Sequence, residues 1–190
     1  MTNLASVRCI TADRFAHAST LDDFIESAQK NRDFWRGVRR TARVAPDLQE
    51  RARAVSGVWH LLVLAEDWCG DAVNTVPVVA GLIERAPQID LRVLQRDSNP
   101  DIMDAHLTRG SRSIPVVMVL DAGYCERAWW GPRPSLLQAW YYAEGHAAAA
   151  ADRSRHNRGW YARDRGRSTA AEVLQLLEGA SGLAAPGDSS

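Results

Sequence analysis

The run Leu61-Leu62-Val63-Leu64-Ala65 is apolar on both faces, the pattern of a strand covered from both sides. The strand it belongs to, Val58 to Ala65, leads through Glu66-Asp67-Trp68-Cys69-Gly70-Asp71-Ala72 into a helical segment from about Asp71 to Arg85 that carries Pro77. A second strand follows at Ile89 to Gln95. Strand, helix and strand in this order predict a right-handed βαβ unit, which commits the chain to an α/β sheet flanked by helices. Cys69 stands where the first strand ends and the helix starts. Unpaired backbone N–H groups and the positive end of the helix dipole favour a thiolate there, so Cys69 is the candidate catalytic residue.

The rest of the chain extends this frame. Thr20, Asp22 and Asp23 offer an N-cap and acidic first turn for a helix running to about Arg40, and Pro46-Asp47 opens a second helix to about Val55. Asn99-Pro100-Asp101 caps a helix ending near Gly110. Strand Val116 to Leu120 turns through Asp121-Ala122-Gly123 into Cys125 to Trp130, a hairpin. A helix follows from about Ser135 to Tyr142, with a continuation through Ala147 to Ala151 left open. The tract Asp152 to Arg167 is polar and arginine-rich. After it, Thr169-Ala170-Ala171-Glu172 reads as a capping box for a last amphipathic helix, and Ser181 to Ser190 reads as a disordered tail.

Trp68-Cys69-Gly70 resembles the opening of the thioredoxin active-site motif, and the chain is most similar to bacterial thioredoxin-like proteins with a single-cysteine Trp-Cys-Gly-Asp motif. Pro77 matches the proline that kinks the helix after the motif, Ser113-Ile114-Pro115-Val116 the Ile-Pro step that is cis in that fold, and Gly131 the glycine closing the next strand. The ordered match spans roughly residues 58 to 140. The resemblance implies a thioredoxin-like fold, with a central mixed β-sheet flanked by helices and extra N-terminal and C-terminal helices. It divides the chain into an N-terminal extension (1–57), a core (58–146), a C-terminal extension (147–180) and a tail (181–190). It also implies a groove in which Trp68, Gly70, Asp71, Ile114, Pro115 and Gly131 hold a substrate beside Cys69.

Two departures from the family pattern shape the chemistry. Ala72 stands where the second, resolving cysteine belongs, and Val63 where the family keeps a buried aspartate that assists release. A mixed disulfide on Cys69 therefore needs an external thiol, such as glutathione or another small thiol, to resolve it. The expected partner is a disulfide-bearing protein or a low-molecular-weight thiol, with no other cofactor and no metal. A non-catalytic binding module for a protein or peptide is the alternative. Asp71, Glu66 and Asp67 oppose the helix dipole at Cys69, so the sign of its pKa shift is open. Arg109, Arg112 and Arg133 lie in loops near the site, and Trp68 with one of Trp129 and Trp130 is expected to border the groove.

Acidic and basic residues balance at 23 each in 190 residues, which gives no global field for nucleic acid. No segment has the apolar length of a membrane span and Met1 to Phe15 lacks a signal-peptide pattern, so the expectation is a cytoplasmic protein. Its oligomeric state stays open. Cys9, Cys69 and Cys125 make an odd count at wide spacing, which predicts reduced thiols. Cys125 begins the strand leaving the hairpin turn, about five residues at ~3.3 Å each from the site, or roughly 17 Å. It reads as a buried structural thiol that cannot reach Cys69, and Cys9, in a segment without a pattern of its own, reads as a thiol without a role, with a resolving role as the alternative.

Overall fold

A computed structural model describes residues 8–182 of the chain. Its sheet has four strands in the order β2-β1-β3-β4: β1 is Trp59–Ala65, β2 Ile89–Gln95, β3 Val116–Leu120 and β4 Glu126–Trp130. β1 runs parallel to β2 and antiparallel to β3, and β4 returns antiparallel on β3. Every residue of β3, and all of β1 but the half-buried His60, is buried, as the double-sided apolar pattern requires. This is the expected thioredoxin-like mixed sheet flanked by helices.

Helices α1 (Ala12–His17), α2 (Leu21–Ser27), α3 (Arg32–Thr41) and α4 (Pro46–Ala54) precede the sheet. α5 (Gly70–Ile83) joins β1 to β2, the four-residue α6 (Pro100–Met103) follows β2, and α7 (Ser135–Trp140) follows β4. α8 (Ala150–Asp164) and α9 (Arg167–Ser181) complete the described chain. One core holds them together: Phe15, Phe24 and Trp35 from the N-terminal helices and Val173, Leu174 and Leu177 from α9 belong to the same buried cluster as β1 and α5.

Several elements differ from their sequence expectation for identifiable reasons. The helix expected from Thr20 to Arg40 is two, because residues 28–31 leave the helix to meet the loop after β1. Asp67 Oδ2 accepts the backbone N–H of Gln29 (2.7 Å) and Lys30 (2.8 Å). The Asp67 carbonyl accepts from Asn31 Nδ2 (3.2 Å) and the buried indole of Trp35 (3.0 Å). Asn31 takes a left-handed conformation (φ 55°) to make the turn. The helix opened by Pro100 stops at Met103, where the buried His106 side chain takes the Ile102 carbonyl (2.7 Å) and Glu126 (2.9 Å) as partners.

At the C-terminal side, α7 passes into a π-helical turn, Tyr141–Gly145, and stops before residue 150. Most of the polar tract from Asp152 lies in α8. The capping box at Thr169 is absent: α9 starts at Arg167 behind Gly166, and Thr169 is fully buried inside it. Glu172 instead caps α7, accepting from Ser135 N (2.9 Å) and Ser135 Oγ (2.6 Å), and from Trp130 Nε1 (2.7 Å). Ser181 ends α9, and the rest of the expected tail, residues 183–190, lies outside the described residues.

The cysteines require the largest correction. Cys9 and Cys125 form a disulfide, and Cys69 alone is free. Ile10 N donates to the Tyr124 carbonyl and Glu126 N to the Arg8 carbonyl, so Cys9 and Cys125 face each other as a non-hydrogen-bonded antiparallel pair, Cα atoms 3.9 Å apart. An odd count does not prevent one bridge, and pairing of residues 8–10 with the strand leaving the hairpin supplies the proximity that spacing hid. Cys125 is half-buried, not a buried thiol, and Cys9 is exposed and committed to it, not a resolving partner for Cys69.

Candidate functional site

β1 delivers the motif. Its last residue, Ala65, is followed by a turn in which Cys69 N donates to the Glu66 carbonyl (3.1 Å), and Cys69 becomes the N-cap of α5. Glu66 and Asp67 face away from the thiol: Glu66 Oε1 accepts the Asp97 N–H (2.9 Å), and Asp67 holds the α2–α3 junction. Cys69 is buried, and its Sγ donates to the Ile114 carbonyl (3.4 Å). The Ile114–Pro115 peptide is cis, as is Gly131–Pro132. Gly131 has φ +132°, and a Cβ there would lie 2.1 Å from the Pro115 carbonyl oxygen, so only glycine lets β4 close over the Ile114-Pro115 loop. Cys69, Ile114, Pro115 and Gly131 are thus brought together.

Burial pushes the Cys69 thiol up to about 11, the negative charge of Asp71 adds to the rise, and the N–H groups of Ala72 and Asp71 with the Arg133 charge offset only part of it. The resting group is a protonated thiol. Asp71 is itself enclosed: Arg133 Nη2 lies 2.7 Å from Oδ2, and Tyr161 (3.0 Å) and Asn157 (3.4 Å) donate to Oδ1. Burial lifts its carboxyl above the ordinary range against the pull of Arg133. Tyr161 and Asn157 both come from α8, the helix that the polar tract concealed.

Of the three loop arginines, only Arg133 reaches the site. Arg112 pairs with Asp104 (2.7 Å), and Arg109 stacks on Tyr142 at 3.5 Å. Trp68 is 43 % exposed, carries the Arg96 guanidinium over its ring at 4.9 Å, and lines a cavity of about 600 Å³ with Gly70, Asp71 and residues of α8. Trp129 and Trp130 do not border that cavity: Trp130 is buried on Glu172, and Trp129 packs edge-on against His106. Val63 and Ala72 are fully buried and apolar, so neither supplies the proton carrier or second sulfur of the family pattern. Sequence reasoning missed Tyr161 and Asn157. Their signal was a tyrosine and an asparagine four residues apart, one helical turn, in a tract otherwise read only as polar.

Among the described residues no group of three His, Cys, Asp or Glu is arranged to hold a metal, and no helix is long and apolar enough to cross a membrane. No curated protein matches the chain. Two solved structures share its fold. A Pseudomonas aeruginosa protein of unknown function superposes with a TM-score of 0.68 at 19% identity, covering 91% of this chain and 99% of that one. An HIV epitope-scaffold gives a TM-score of 0.66 at 18% identity, covering 88% and 97%. A family model described as Thioredoxin matches residues 18–151, which takes in three of the N-terminal helices, the motif and the whole sheet. With the mixed sheet, the thiol at the α5 N-cap and the Ile114-Pro115 loop against it, that match shows that the chain belongs to the thioredoxin family.

Proposed function

We propose that the chain is a single-thiol redox protein of the Trp-Cys-Gly-Asp type, in which Cys69 exchanges with a disulfide-bearing protein or a low-molecular-weight disulfide. The observation that carries this reading is the distribution of the three sulfurs: Cys9 and Cys125 occupy each other, and Cys69 alone stands at the family's nucleophile position. The Cys69 thiolate attacks one sulfur of the partner disulfide, the S–S bond breaks, and the other sulfur leaves as a thiolate. An external thiol such as glutathione then attacks the mixed disulfide, takes the partner's sulfur into a new disulfide and returns Cys69 reduced. Trp68, Gly70, Asp71, Ile114, Pro115 and Gly131 form the walls and backbone of the groove in this reading. The raised pKa keeps Cys69 protonated at rest, so exchange requires loss of that proton as the sulfur attacks.

A second reading, a thioredoxin-fold binding module without turnover, is favoured by the burial of Cys69 and by the covering of Asp71 by α8. The deciding experiment exposes the protein, with the Cys9–Cys125 bridge intact, to oxidised glutathione and follows Cys69 by mass spectrometry. A glutathione adduct confined to Cys69, absent in Cys69→Ser and removed by reduced thiol, is the expected result. A Cys69 that stays unmodified in the folded protein but reacts when unfolded overturns the redox reading in favour of the binding module. The disulfide also bears on compartment, since such bonds are rare in cytosolic proteins.

A further inference from the structure

The cleft that α8 forms over α5 shares Trp68, Gly70 and Asp71 with the proposed groove, and the rest of its lining has no part in the thiol chemistry. Its polar end, the cavity of about 600 Å³ beside Trp68, is lined by Arg133, Arg153 and Arg158 against a single carboxylate, Asp71, which is already paired with Arg133. A second hollow of about 640 Å³ between α3 and α8 adjoins it, with Phe34, Asn74, Arg158 and Tyr161 as shared walls. That hollow has an apolar lining of Val38, Ala42, Val78 and Ala162, and Arg43 and Arg165 stand at its margin with no acid. Five arginines and one aspartate thus line two adjoining hollows in a chain whose formal net charge is zero.

These arginines are also available. Among the described residues Arg43, Arg153, Arg158 and Arg165 have no carboxylate partner. Arg153 donates only from Nη1, to the carbonyls of Gly145 (3.3 Å) and Ala148 (3.1 Å), and Arg158 only from Nη1, to Ser154 Oγ (2.9 Å). A guanidinium carries five N–H donors, so both keep a free edge for a carboxylate. Arg158 lines both hollows and marks where they join. The apolar side is equally unfilled: Phe34, on α3 beside the buried Trp35, is 44 % exposed and lines both hollows.

We propose that this cleft binds an amphipathic organic acid, a small molecule with a carboxylate head and an aliphatic or aromatic body. The head lies against Arg153 and Arg158, and the body along Phe34, Val38 and Val78. Charge selects an anion, and the apolar continuation selects a molecule with a hydrocarbon part over a small polar acid. Although the cavity shares Trp68, Gly70 and Asp71 with the proposed groove, Cys69 does not line either hollow, so occupancy requires no redox step and holds whether or not Cys69 turns over.

The test is calorimetric titration of the full chain with octanoate, 1-octanol, acetate and citrate. Octanoate should bind once per chain, and 1-octanol and acetate about ten-fold more weakly or worse, since each lacks one of the two recognised parts. Arg158→Gln and Arg153→Gln should each weaken octanoate about three- to ten-fold, Val38→Gln should weaken it without affecting acetate, and Arg85→Gln, which removes the same charge from a remote surface, should leave it unchanged. Circular dichroism confirms that each variant is folded, and Arg158, exposed and bonded only to Ser154, is the variant least able to disturb the fold. Equal binding of octanoate and 1-octanol, tighter binding of citrate than of octanoate, or indifference to both arginine changes overturns the proposal.

Discussion

Cys69 should be a slow thiol, and the structure says by how much. Its ordinary value of 9.0 is pushed up to about 11, so at pH 7 its thiolate fraction is lower by about two powers of ten than that of an unperturbed cysteine. A more basic thiolate is a better nucleophile, with a Brønsted coefficient of about 0.4–0.5, which returns about six- to ten-fold per thiolate. The net expectation is exchange about ten- to fifteen-fold slower than a free peptide thiol at pH 7, before any steric shielding. The assay is methylthiolation by a small neutral thiosulfonate from pH 6 to 11.5, with the Cys9–Cys125 bridge intact so that Cys69 is the single reporter. The rate should rise through a midpoint near 11 and show no plateau at pH 9. In Asp71→Asn the midpoint should fall, because one of the two causes of the rise is gone, while burial, the larger cause, keeps it above 9.0. A wild-type midpoint at or below the free value of about 8.5 would refute the reasoning, since it would require the helix end to outweigh both burial and Asp71.

Three further outcomes follow from other parts of the molecule. Labelling of the denatured, unreduced chain should count one thiol and labelling after reduction three. Reduction or Cys125→Ser should lower stability to urea by up to about 5 kcal/mol, the chain-entropy value for a loop of this length; two or more thiols before reduction would remove the bridge. Gly131→Ala should cost about 3 kcal/mol or more in thermal or urea unfolding, since its Cβ would collide with the Pro115 carbonyl at a left-handed φ; a change within 0.5 kcal/mol, the range of ordinary surface substitutions at about that size, would contradict the close approach. Burial opposes protonation of His106, and its bonds to Glu126 and the Ile102 carbonyl outweigh that, leaving its pKa raised from 6.5. Such a base stabilises the fold fully below pH 6.5 and loses the contribution as pH climbs through the folded value. Wild type should therefore lose more stability between pH 5.5 and 8.5 than Glu126→Gln does, and equal losses would deny the pair its role.

The parts of the fold that were legible in the sequence are those whose residues answer to one neighbour. β1 and β3 carry their burial in apolar runs and β2 in an alternation of Ile, Leu and Val with polar residues, and α5 follows β1 at the distance a parallel crossover needs. Gly131 and Pro115 were readable because backbone geometry suits those residue types, and Cys69 because it stands where a strand gives way to a helix. Elements that answer to a polar partner were not. α8 is polar on nearly every face since the face it turns inward meets Asp71, and no hydrophobic period marks a helix of that kind. The break between α2 and α3 depends on Asp67, nearly forty positions away in sequence, capturing two amides that a continuous helix would have used internally. Thr169 and Glu172 have the spacing of a capping box, yet burial of one and the bonds of the other to Ser135 and Trp130 assign both elsewhere. The Cys9–Cys125 bridge was hidden because it depends on pairing of a short segment that has no pattern of its own.

The clamp on Asp67 carries a lesson for anyone dissecting this protein. One residue, two positions before the thiol, fastens the N-terminal helices to the motif through both its carboxylate and its carbonyl. The first helices are therefore the far jaw of the tool, not packaging around it. Excising residues 58–146 as a minimal thioredoxin would leave the Trp68-Cys69-Gly70 turn without its anchor, and the fragment's thiol would report on a loop that the intact chain never presents.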